Sequence, residues 1–184
     1  MAITDKRAEI VSGATGAFET GGFRGLGVDQ VLAPSGASTR TLYKHFGSKD
    51  GLVLAVLEDR HQRFIARIDA APCGEDTVAA LFAALRQWLA EHGARGCMLL
   101  RARAEYAASS DAVVTLVHRQ KEAFRHAIAH RVTATLGRQD DRLATQIWLL
   151  FEGATAAASV ADLTVVDAAE AAAATLLAAA RGAP

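Results

Sequence analysis

The residues with the clearest chemical potential are Thr39, Arg40, Thr41, Tyr43, Lys44, His45 and Lys49. On a helix spanning Thr39–Phe46, Leu42 and Phe46 stand four apart and share one face. Arg40 and Lys44 occupy the opposite face, with Thr41 beside them. Thr39 and Tyr43 lie on one flank and His45 on the other. No acidic residue occurs from Gln30 to Lys49. A short rod that is apolar behind and cationic in front suits a major groove, where Arg pairs bidentately with guanine. Arg40 is placed for base readout, and Tyr43, His45 and Lys49 for phosphate. Lys49 also opens a helix whose first amides favour an anion. The bland alternative is a solvated basic face; the opposition of Leu42/Phe46 to Arg40/Lys44 argues against it.

Any such grip must be local. The 184 residues hold 20 Lys plus Arg and 20 Asp plus Glu, for zero formal net charge. That balance argues against nonspecific DNA compaction and against a general hold on anionic membranes. Hydrophobic residues make up 51% and charged residues 22%, an ordinary globular balance. The two cysteines, Cys73 and Cys97, make no disulfide framework. No signal peptide is read, and the uncharged run Gly153–Ala161 is too short to span a bilayer. A cytoplasmic protein without a membrane segment is expected.

A second set of residues has the character of a small-molecule site. Phe82, Trp88, Met98, Tyr106, Phe124, Trp148 and Phe151 are large apolar side chains in the middle helices. Glu105, Gln120, Glu152 and Thr155 are polar residues within otherwise apolar stretches. Ligand sites are apolar with a few placed polar groups, although aromatics at helical spacing more often form plain core. A carboxylate is seldom buried unpaired. Glu105 and Glu152 therefore need either a partner such as Arg101 or Arg103, or a ligand. Other constellations are weak. His126 and His130 stand four apart without a third metal ligand, and Cys97 is a lone thiol beside Met98 and Leu99. No phosphate-cradling glycine loop, zinc spacing or nucleophile–base arrangement is found. No cofactor, metal site or enzymatic activity is expected.

The elements that position these residues are all helical. Only three prolines occur, Ala is the commonest residue, and no segment alternates as a strand would. The pattern predicts a helix from Thr4 to about Thr20, ended by Gly21-Gly22. A short helix Val28–Ser35 follows, capped by Gly27 and stopped by Gly36, with Pro34 in its last turn. Ser38 caps Thr39–Phe46, and Ser48 caps a helix that ends before Pro72. A three- to four-residue turn containing Gly between two short helices is the helix-turn-helix signature. After a boundary at Ala71–Glu75, five helices are expected: Asp76–His92, Cys97–Ala108, Asp111–Leu136, Asp140–Ala161 and Asp167–Arg181.

The last two of these are apolar around most of their circumference, so they need burial on two sides. A homodimer through helices at about 140–161 and 167–181, packed as a four-helix bundle, satisfies both.

The stretch Gly22-Phe23, Val28, Val31, Gly36-Ala37-Ser38-Thr39-Arg40-Thr41-Leu42-Tyr43-Lys44-His45-Phe46-Gly47-Ser48-Lys49 and Leu52 closely resembles the N-terminal domain of tetracycline-repressor-type (TetR family) transcriptional regulators. The most specific part is Thr41-Leu42-Tyr43, then His45-Phe46, then Ser48-Lys49. The resemblance covers roughly residues 5–57. Leu32 stands where the family usually has a small Ala, and Gly27 where it often has Thr or Ser. The resemblance implies a homodimer on a palindromic double-stranded operator and a C-terminal domain that senses a small-molecule effector. It also implies base and phosphate contacts from the helix 39–46 and phosphate contact at Lys49.

The expected fold is all-α, with about nine helices: an N-terminal three-helix helix-turn-helix domain followed by a C-terminal helical ligand-binding and dimerisation domain. The expected division is 1–50 for DNA binding, 51–71 for a connecting helix and 72–184 for ligand binding and dimerisation. The function expected is a regulator, a repressor freed from its operator by a ligand. The competing reading is a helical small-molecule-binding protein or enzyme without sequence-specific DNA binding. The helix 39–46 separates the two, because an enzyme has no need of its opposed faces.

Overall fold

Helix boundaries follow from which side chains and backbone groups satisfy the free amides and carbonyls at each end. The computed structural model describes residues 5–70 and 77–182. Among them are nine α-helices and no strand: α1 Lys6–Gly21, α2 Val28–Leu32, α3 Thr39–Phe46, α4 Lys49–Ala70, α5 Thr77–His92, α6 Met98–Tyr106, α7 Asp111–Leu136, α8 Asp141–Ala157 and α9 Thr164–Arg181. The expected all-α architecture is therefore present. The Thr4 cap, the boundary at Ala71–Glu75 and the start at Asp76 lie outside the described residues.

The starts of these helices are capped by short polar side chains. Asp5 accepts from Arg7 N at 2.9 Å, Ser38 Oγ from Thr41 N at 3.2 Å, and Ser48 Oγ from Gly51 N at 2.9 Å. Asp140 accepts from Leu143 N at 2.9 Å. Gly27 has no side chain to cap α2; instead Gln30 Oε1 accepts from Gly27 N at 2.8 Å.

Four boundaries differ from expectation by more than one residue, each for a local reason. The helix Val28–Ser35 is α-helical only to Leu32 and tightens into a 3-10 turn over Ala33–Ser35. Pro34 has no N–H for the bond back to Gln30, so the α pattern cannot continue through it. Helix α6 stops at Tyr106 rather than Ala108, because the Ser109 and Ser110 amides both turn back to the Tyr106 carbonyl. Helix α8 ends at Ala157 rather than Ala161; Ser159 and Val160 make i→i+3 bonds to Ala156 and Ala157. Helix α9 begins at Thr164 rather than Asp167, where the Asp162 carboxylate accepts from Thr164 N at 2.8 Å.

The chain packs as two compact units. One combines residues up to Gln62 with Met98–His118, and the other combines Arg63–Cys97 with residues from Arg119 onward. The core of the first is built on Ile10, Phe18, Phe23, Leu42, Leu52 and Val56, joined by Ala102 and Tyr106. The core of the second is built on Leu81, Phe82, Leu85, Phe124, Ile128, Ile147, Phe151 and Leu177. Burying one such aliphatic or aromatic side chain contributes roughly 1.5–3 kcal/mol. No described helix is long and apolar enough to cross a membrane.

Candidate nucleic-acid interface

Helix α3 is anchored through one fully buried side chain, Leu42. Phe46, four residues on, is half-buried against the same core. The turn before α3 depends on Gly36, whose φ of 60° is a left-handed conformation that a side chain would strain. At the far end, Gly51 lets α4 start tight against α3. A Cβ added there would lie 2.0 Å from the Phe46 carbonyl oxygen. The start of α1 reaches the same turn, with Lys6 Nζ donating to the Ser35 carbonyl at 2.9 Å.

Arg40, Tyr43, Lys44 and His45 are all exposed, Tyr43 by 55%. They present the cationic face that the spacing predicts, without an acidic side chain of α3 among them. Thr39 and Thr41 have local duties. Thr39 Oγ1 donates to Asp29 at 3.3 Å, tying α3 to α2, and the Thr41 hydroxyl lies 2.9 Å from Ser38 Oγ at the cap. Arg7, not among the residues singled out by spacing, brings its guanidinium 5.4 Å from the Phe46 ring centroid. That is the range of a cation–π contact and adds positive charge beside α3.

Lys49 is placed differently from the other basic residues. It is half-buried and its Nζ donates to the Leu26 carbonyl. Burial pulls its ammonium below the ordinary lysine range, while the charges of Asp50 and Glu105 oppose that pull. Its ammonium thus helps to close the loop between α1 and α2.

Residues distant in sequence hold this assembly from α6. Arg101 donates to the carbonyls of Phe18 and Glu19, at the C-terminal end of α1. A cation there satisfies orphan carbonyls and complements the helix dipole. Glu105 Oε2 accepts from the backbone N–H groups of Phe23 and Arg24, each at 2.8 Å. Arg24 in turn reaches Ser109 Oγ at 3.2 Å. Tyr106 is buried with its ring 6.4 Å from Phe23. Burial, then the charge of Asp50 and a hydrogen bond to it, push its phenol up to about 12.

The residues considered for a small-molecule site are therefore divided. Met98, Glu105 and Tyr106 belong to the first unit, where they pack beneath α1 and α4 or bond to the loop after α1. Phe82, Trp88, Phe124 and Phe151 come together in the second unit. Phe151 lies 4.8 Å from Phe124 and 5.9 Å from Phe82, ring centre to ring centre. Phe64 joins them, 5.3 Å from Trp88 and 6.0 Å from Phe151. Glu152 is paired with Lys121, whose Nζ is 2.6 Å from both carboxylate oxygens, and not with an arginine. Thr155 Oγ1 donates to the Phe151 carbonyl at 2.9 Å. Gln120 is buried with its Oε1 unpaired, and the buried Nε1 of Trp148 is unpaired as well.

His126 and His130 are exposed, and His126 sits 3.2 Å from Glu122. Among the described residues no group of three His, Cys, Asp or Glu is placed to hold a metal ion. Cys97 is half-buried.

Comparison with known proteins gives the same reading for the N-terminal region. Residues 10–56 match the model of bacterial regulatory proteins of the tetR family. The HTH-type transcriptional regulator LmrA of Bacillus subtilis (strain 168) is 34% identical over 76 residues. That match spans 41% of this chain and 39% of LmrA. A TetR-family transcriptional regulator from Streptomyces coelicolor superposes with a TM-score of 0.88 at 25% identity, covering 96% of both chains. A TetR transcriptional regulator from Chloroflexus aurantiacus J-10-FL superposes with a TM-score of 0.79 at 23% identity, covering 94% of both. The opposed faces of α3, the Gly36 turn and the matched stretch 10–56 agree: residues 10–56 carry the N-terminal domain of bacterial regulatory proteins of the tetR family, and the fold is that of TetR-family regulators.

Proposed function

We infer that this protein is a transcriptional repressor that binds a palindromic operator as a homodimer and leaves it when a small molecule binds. The observation that carries this reading is α3: Leu42 is fully buried while Arg40, Tyr43, Lys44 and His45 stand in solvent. In this reading each subunit lays α3 in a major groove. Two half-sites about 34–36 Å apart, or a multiple of that, lie on one face of the duplex. Arg40 reads base edges, and Tyr43, Lys44 and His45 meet phosphates. Lys49 contacts phosphate only by giving up the Leu26 carbonyl, so its contribution is smaller than that of Lys44.

Helices α8 and α9 supply the dimer contact. Leu149 on α8 is 57% exposed, although Ile147 and Phe151 beside it are buried. An outward leucine on a helix whose other face is core supports a partner surface. In chain order, 1–50 read DNA, 51–71 connect, and 72–184 bind ligand and dimerise. Helix α6 is the part of that last region that packs in the same unit as residues 1–50, bonding to the end of α1 and the loop after it. The protein works by binding in the cytoplasm, without turnover of its ligand.

Release follows from linkage. A ligand that prefers the conformation with mis-spaced reading helices weakens DNA binding, and DNA weakens the ligand by the same factor. The test is selection of bound fragments from random DNA, followed by challenge with a compound panel. A two-fold symmetric consensus, and a compound that frees it, are the expected results. A consensus without symmetry, or no enrichment, overturns the reading.

A further inference from the structure

We propose that Asp29 on α2, paired with Thr39, makes the first turn of α3 a reader of cytosine at one position of each half-site. This deepens the reading of the chain as an operator-binding regulator and rests on it.

Helix α3 carries no acid of its own, yet a carboxylate from a different helix is fixed beside its first residue. The Thr39 hydroxyl donates to Asp29 Oδ1 at 3.3 Å. Both residues are exposed, and among the described residues no ion pair neutralises Asp29. The N-terminal residues of a reading helix are the ones that contact base edges. Thr39 is the first residue of α3, so its bond brings Asp29 to that end of the rod.

The direction of the bond decides what the pair can read. A carboxylate has acceptors only, and the one hydroxyl hydrogen of Thr39 is already directed to it. The pair therefore offers the duplex nothing but lone pairs, from Thr39 Oγ1 and from the Asp29 oxygens. Phosphates repel such a group, as do O6 of guanine and O4 of thymine, and an exocyclic amino group satisfies it. Cytosine presents its N4 amino group in the major groove without a neighbouring acceptor, whereas adenine sets N6 beside the acceptor N7. Two acceptors thus match cytosine better than adenine. Arg40, the next residue, has donors only and pairs with guanine, so adjacent residues of α3 select opposite bases. The basic residues attract any duplex; Asp29 can only discriminate between duplexes.

The test is selection of bound fragments from random DNA with the full chain, as parent, Asp29→Asn and Thr39→Val. Asn has the shape of Asp but exchanges one acceptor for a donor, the pattern that pairs with adenine N6 and N7. The parent consensus is expected to hold a cytosine in each half-site that becomes adenine with Asp29→Asn, the other positions being retained. Thr39→Val, which removes the tie, should lose the cytosine without gaining adenine. Replacing that cytosine by 2-pyrimidinone, which lacks the amino group, should weaken the parent at least about fivefold more than Asp29→Asn. Both proteins meet the same duplex, so the altered base pairing cancels.

One consensus shared by all three proteins overturns the proposal. So does a gain in affinity by Asp29→Asn that is equal for every sequence, since Asp29 would then only repel phosphate. A parent that enriches no sequence defeats the regulator reading and this assignment with it. A parent with a clear consensus that Asp29→Asn leaves unaltered defeats this assignment alone.

Discussion

Glu105 Oε2 lies 2.8 Å from the backbone nitrogen of Phe23, a residue 82 positions earlier in the chain. The same oxygen accepts from Arg24 N, so one carboxylate on α6 orders the loop that leads into α2. Bonds to an ionised acceptor are about twice as strong as neutral ones. Arg101, one turn earlier on α6, holds the carbonyls that end α1. The start of the helix-turn-helix is thus positioned by charges that lie far outside it.

Glu105→Gln keeps an acceptor but loses its charge, so it should destabilise the protein by at most about 1.5–3 kcal/mol, the range for hydrogen bonds to charged groups. Urea denaturation checks this. Operator affinity should fall as well, because the loop sets where α2 begins. A variant with unchanged midpoint and unchanged affinity shows that the carboxylate does not order the loop.

Arg40→Ala and Lys44→Ala should fail differently. Loss of a bidentate guanine contact costs about 1–3 kcal/mol and relaxes discrimination at one base position. Loss of a phosphate contact weakens binding to all sequences and reduces the salt slope by about 1. Titrations with operator and scrambled duplexes at several salt concentrations separate the two. Equal losses on both duplexes for Arg40→Ala would remove it from base readout.

Gly51→Ala tests the junction of α3 and α4. The new Cβ would stand 2.0 Å from the Phe46 carbonyl oxygen, and backbone must move to admit it. Overpacking of this kind costs about 1–3 kcal/mol. Thermal denaturation should show the loss, together with weaker DNA binding from a displaced α3. Parent-like melting would mean that the junction has room the geometry does not show.

Tyr106 gives the protein an alkaline weakness. Its phenol is raised from the ordinary 10.0 to about 12 in the folded chain, chiefly by burial. Between those values the unfolded chain has lost a proton that the folded chain keeps. Stability from this group is fully present below pH 10 and is lost as pH rises toward about 12. Tyr106→Phe should show a shallower fall in denaturation midpoint over that window. Parallel profiles for the two proteins would show that this phenol does not carry the dependence.

The amino-acid sequence by itself determined the helices and the reading face. Ser38, Ser48 and Asp140 act on amides three residues away, and Leu42 opposes Arg40 and Lys44 through helical periodicity alone. Such interactions span at most a few residues, so local order suffices to read them. Tertiary structure alone decided the rest. Nothing near Lys49 in sequence announces the Leu26 carbonyl that receives it. Nothing near Glu105 announces Phe23 and Arg24, or near Glu152 its partner Lys121. Nothing in the residues beside Met98, Glu105 and Tyr106 announces that they pack in one unit and Phe124 and Phe151 in the other. Partners separated by tens of residues are chosen by how whole helices meet, and that choice depends on all the packed side chains at once.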